Sequence, residues 1–127
     1  MAEKEEWKYP FTKEMLKAWK EAHGSVHCVQ ISNVYYVYRA LTVGESKKMN
    51  MDLLKFSRTI PTETDEDERF LHVRNYEMAV SVKCCVLWPE DAKDEIDKLP
   101  AGVLEQLNAA IYKASGYDDS EAELIEL

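Results

Sequence analysis

The chain is sparing with the residues that break or staple structure. Four glycines and four prolines in 127 residues exclude collagen-like, linker-like and low-complexity classes. Gly24, Gly44, Gly102 and Gly116 stand too far apart to form a phosphate-cradling loop or a dinucleotide fingerprint. Cysteine occurs three times, and Cys84 and Cys85 are adjacent, a spacing that rarely meets disulfide geometry. Reduced thiols in a reducing compartment are therefore expected. No run approaches the roughly 20 apolar residues of a bilayer span, and the opening MAEKEEWKYPFTKEM has no apolar h-region of a secretory signal. A soluble, intracellular protein is the expectation.

What the chain does have is an ordinary globular balance, 46% hydrophobic and 31% charged, enough to build one unstapled core. Sixteen basic residues against 24 acidic ones give a formal charge of −8. A polyanion would be repelled over most of such a surface, because tight binding needs clustered Lys and Arg to release counterions. The basic residues instead alternate with acids, as in Lys17 to Glu21 and Asp91 to Lys98, the pattern of solvated helix faces. Neither nucleic acid nor membrane is expected as a partner; acidity favours solubility or a protein partner. Acids cluster at Glu63 to Glu68, a helix start that suits the macrodipole, and at Asp118 to Glu126.

Along the chain, residues 1–10 read as an arm that Trp7 and Tyr9 could pin. Phe11 to His23 reads as a helix with Thr12 as N-cap, Met15, Leu16 and Trp19 on one face, and Gly24 as the stop signal. Two β-branched and aromatic runs, Val26–Ile31 and Val34–Arg39, then flank Ser32-Asn33 as a hairpin. A two-residue loop pairs Ile31 with Val34, Val29 with Tyr36 and His27 with Tyr38. Both faces of that ribbon are partly apolar, so it must lie against helices or another chain. Thr42 and Glu45 form a capping box for a helix bearing Met49, Leu53, Leu54 and Phe56 that stops before Pro61. The longest helix is predicted from about Asp65 to Leu87. It carries one stripe of Phe70, Val73, Val80, Cys84 and Leu87 and another of Leu71, Met78, Val82 and Cys85, which makes it the central element. Trp88-Pro89 ends it, Pro89 to Lys98 is a short charged turn or helix, and Pro100 opens a last helix running to Gly116. The expected fold is α+β and mostly helical, about four helices around one β-hairpin (residues about 26–39). Its divisions are an arm (1–10), a single domain (11–117) and an acidic tail (118–127).

Catalytic and metal signatures are sparse. There is no His-Glu-x-x-His pattern and no Gly-x-Ser-x-Gly elbow. His23, His27 and Cys28 are the nearest to a ligand set, but His27 and Cys28 point to opposite faces of a strand. A Cys84 or Cys85 nucleophile would need His72, about 18 Å away along one helix. The cysteines read as small buried hydrophobes. No catalytic residue, cofactor or metal is expected, and an enzyme is not.

Two features invite an interface. Tyr35, Tyr36, Tyr38 and Arg39 are residue types that anchor interfaces, with Trp88 beyond them; the alternative is that the tyrosines pack on the helices. In the tail, Leu124, Ile125 and Leu127 follow an acidic lead in the manner of a peptide that docks into an apolar groove; the alternative is a solvated terminus.

The order of these motifs resembles the small tail assembly chaperone and baseplate-associated proteins of contractile-tailed bacteriophages. The resemblance runs from about Val34 to Tyr117. It rests on Arg39-Ala-Leu41-Thr42-Val-Gly-Glu45, on the helix end Cys85-Val-Leu-Trp-Pro89, and on the closing Ser115-Gly116-Tyr117. It implies a non-enzymatic protein of the host cytoplasm that binds tape-measure, tube or baseplate proteins, and it has no catalytic residues to carry over. Chaperone members are displaced after assembly, whereas baseplate members stay in the particle. Homo- and hetero-oligomers both fit this family, and a frameshift-extended form, common among its chaperones, is not visible in one chain. The competing class is a small acidic regulator that binds and inhibits a host protein.

Overall fold

The structure is a computed structural model that describes residues 7–117 and 125–127. Helix α1 (Lys13–His23) leads into β1 (His27–Ile31) and β2 (Val34–Tyr38), followed by α2 (Val43–Thr59) and α3 (Glu66–Cys85). Then come β3 (Val86–Trp88), α4 (Glu90–Asp94), a 3-10 turn over Ile96–Lys98, α5 (Ala101–Ala114) and β4 (Ile125–Glu126). The mostly helical α+β class holds.

Local chemistry sets most of the boundaries. The Thr12 hydroxyl accepts from the Met15 amide, and Gly24 leaves α1 at φ 80, open to a residue without a Cβ. At α2 the capping box closes in both directions, with the Glu45 amide donating to Thr42 and the Thr42 amide to the Glu45 carboxylate. Asp65 caps α3 through the Asp67 amide. Pro100 sits at the N-cap of α5 rather than inside its first turn. Ser32 and Asn33 both adopt positive φ, 51 and 67, the type I′ geometry that matches strand twist. The resulting register is Ile31 to Val34, Val29 to Tyr36 and His27 to Tyr38, as the loop length predicts.

The hairpin is the middle of a larger sheet, ordered β3-β2-β1-β4. The central helix stops at Cys85, two residues short of the expected end, and Val86–Trp88 turns into a strand against β2. Three residues are too few to show a period in sequence, and the unbroken 3.6-residue pattern before them masks the switch. At the opposite edge, Ile125 and Glu126 pair with Cys28 and His27, and the Leu127 amide donates to the Val26 carbonyl.

Both faces of the sheet are covered. On one, Ile31, Tyr36 and Tyr38 pack with Val82, Cys85, Val103, Leu107 and Ile111 of α3 and α5. On the other, Val26 and Val37 pack with Phe11 and with Met15, Leu16 and Trp19 of α1. Tyr9, on the arm, stacks on Phe11, and the Trp7 indole donates to the Phe11 carbonyl. Helix α3 is sandwiched. Its Ser81, Val82 and Cys85 are buried toward α5 and the sheet, while the opposite side meets α2, where Tyr76 stacks on Phe56 at 4.2 Å. Of the predicted stripes, Val82 and Cys85 lie in that core, whereas Phe70 and Leu71 are exposed and Leu87 lies beyond the helix in β3.

Candidate functional site

Of the residues expected to face a partner, Tyr36 and Tyr38 turn inward. Tyr38 is 1% exposed and Tyr36 5%, because the face they share with Ile31 lies under α3 and α5. Tyr38 stacks on His27 across the strands, and burial pushes its hydroxyl up to about 12. Tyr35 is half-buried and edges onto Tyr9; Trp88 is half-buried against Phe11. Leu127 packs on the Phe11–Val26–Val37 cluster, so its apolar side chain serves its own chain. Ile125 takes part through its backbone in β4, and Leu124 lies outside the described residues. The alternating pattern of the ribbon was visible in sequence; that helices would cover both its faces was not.

Arg39 is the exception that leads to a site. Its guanidinium meets the Glu45 carboxylate in a two-pronged ion pair of 2.7 and 2.6 Å. The same Nη2 donates to the Cys84 carbonyl at 2.9 Å, and the Cys84 thiol donates to Glu45 at 3.1 Å. The hydrogen bonds from Arg39 hold the Glu45 carboxyl far below the usual carboxylate range. Burial, then the carboxylate beside it, push the Cys84 thiol up, the reverse of what a nucleophilic cysteine needs. Nearby, the Leu41 amide donates to the Ser115 hydroxyl at 2.8 Å, and Ser46 and Tyr117 share a hydrogen bond between their hydroxyls. Segments 39–46, 84–85 and 115–117, far apart in sequence, thus meet at one place.

Beside this junction lies a groove of about 340 Å³ between α2 and α3. Leu41, Met49, Val80 and Cys84 supply its apolar part, and Lys48, Lys83 and Asp52 stand around it. With Glu45 neutralised by Arg39, the remaining charges sum to positive, which is unusual ground on a chain of −8. Such a groove suits an apolar side chain with acidic neighbours. Sequence reading missed it because Met49, Val80 and Cys84 sit on stripes already assigned to the core, while Leu41 lies outside any helix.

His72 is exposed and pairs with Glu68 on its own helix, far from the cysteines. Among the described residues no cluster of His, Cys, Asp and Glu has the makings of a metal site, and no helix is long and apolar enough to cross a membrane. Comparison with known proteins finds no matching family model, no matching curated protein and no matching solved structure.

Proposed function

We propose that this chain is a non-enzymatic binding protein of phage tail morphogenesis, a tail assembly chaperone that holds tape-measure or tube proteins in the host cytoplasm. The single observation that carries the reading is the convergence of the three motif segments beside the α2–α3 groove. The 39–45 segment, hydrogen-bonded to Cys85 and to Ser115, lends Leu41 and Glu45 to the lining of a docking-sized hollow. The groove takes an apolar side chain of the tail protein against Leu41, Met49 and Val80, and Lys48 and Lys83 favour acidic residues beside it.

Co-expression with tape-measure and tube proteins, followed by pull-down, tests this. Association is expected, with weakening in Lys48→Glu/Lys83→Glu, whose outward positions leave the core intact. No association with any tail component overturns the reading. Mass spectrometry of purified virions then distinguishes a chaperone, which is absent, from a baseplate subunit, which is present at fixed copy number.

A further inference from the structure

The helical hairpin α2–α3 carries apolar residues on both of its outer sides, and the charges around them are opposite. On α2, the half-turn away from α3 carries Lys47, Met51, Leu54, Lys55 and Arg58. Met51 is 56% exposed and Leu54 54%, and no acid falls within that arc. In a chain with an excess of eight negative charges this is a concentrated basic strip.

The start of α3 is its counterpart. Leu71 lies seven residues before Met78 and fourteen before Cys85, on the stripe that packs toward α5 and the sheet. Met78 and Cys85 are buried there, but Leu71 is 52% exposed and its neighbour Phe70 66%. The Arg74–Glu105 ion pair to α5 lies one turn further along. Glu66, Asp67 and Glu68 make the first turn of α3 acidic.

We propose that copies of this chain associate head to tail, the basic-apolar face of α2 seating on the acidic-apolar start of α3 of the next copy. A second copy is the partner these faces fit, since one chain supplies both halves of the complementarity, charge to charge and apolar to apolar. The two faces lie on opposite sides of the hairpin, because α3 is held between α2 and α5. A two-fold dimer cannot bring both into one contact. The interface is therefore heterologous and extends into a ring or an open array. It does not depend on the groove or on the phage reading.

Sedimentation velocity of the full chain over a concentration series tests it. The weight-average mass is expected to rise past that of a dimer at low salt and to fall on adding salt. Met51→Glu/Leu54→Glu and Phe70→Glu/Leu71→Glu alter only exposed side chains, and circular dichroism verifies their fold. Each double variant alone should be monomeric. Mixed, they should form a one-to-one pair and nothing larger, because each retains the face that the other has lost. A wild-type chain that stays monomeric at every concentration overturns the proposal. So does either variant that still self-associates, or a mixture that fails to pair.

Discussion

The Arg39 guanidinium ties Glu45, six residues on, to the carbonyl of Cys84, 45 residues on. One side chain thereby joins the exit of β2, the first turn of α2 and the end of α3. Arg39→Ala strands a half-buried carboxylate and removes a donor from the helix end. We expect a loss of about 2 kcal/mol. Thermal unfolding should show a drop in Tm of roughly 6 °C. Arg39→Lys should recover only part, since an ammonium lacks the planar fork.

The same pair makes stability depend on pH. Glu45 stays ionised in the folded chain to lower pH than in the unfolded chain, where a carboxylate titrates near about 4.3. The unfolded chain therefore binds the proton first. The stabilisation is complete above about pH 5 and is lost as pH falls through the unfolded value and below it. Urea titrations on the acid side should give a flatter decline in Glu45→Gln than in the wild type.

Thiol reactivity should follow burial. Desolvation raises Cys28 to about 11 and lifts Cys85 further, while half-buried Cys84 is raised by burial and by Glu45. Alkylation of the native protein near pH 8 should be slow at every site and reach Cys84 first. Cys28 and Cys85 should react only on unfolding. Mass mapping of modified peptides reads the order, and a fast native thiol at Cys84 would reopen the case for a nucleophile.

The hairpin turn can be improved. Ser32 holds φ 51 and Asn33 φ 67, conformations that Asn and Gly adopt at lower cost than Ser. Ser32→Asn/Asn33→Gly should stabilise the chain by about 1 kcal/mol, seen as a higher urea midpoint with unchanged slope. A loss of stability would mean that the turn is held by contacts beyond its own backbone.

Polar ties between α3 and α5 include Arg74 to Glu105, Tyr112 to Glu77 and Ser81 to Asn108. The one hydroxyl proton of buried Ser81 is shared between Asn108 Oδ1 at 2.7 Å and the Met78 carbonyl. Ser81→Ala should cost about 1–2 kcal/mol by denaturant unfolding, since Asn108 loses its partner in a part-buried setting.

Features whose atoms lie within a few residues of one another were legible beforehand. The Thr12 cap, the Thr42–Glu45 box, the Gly24 stop and the hairpin register are all local satisfaction of backbone groups, so residue order is enough to read them. The double stripe of α3 was equally visible, because a period of 3.6 survives without knowledge of what covers it.

Tertiary structure decided which apolar residues stay outside and which polar ones meet. Val86–Trp88 and Ile125–Glu126 become strands because β2 and β1 offer edges to them, a fact absent from three- and two-residue segments. Leu71 and Met78 occupy the same stripe, yet only Met78 is buried. Tyr36 and Tyr38 went into the core and Arg39 to Glu45 and Cys84 for the same reason. Sequence sets the pattern on each element, while the closing of distant elements on one another determines which part of that pattern water still reaches.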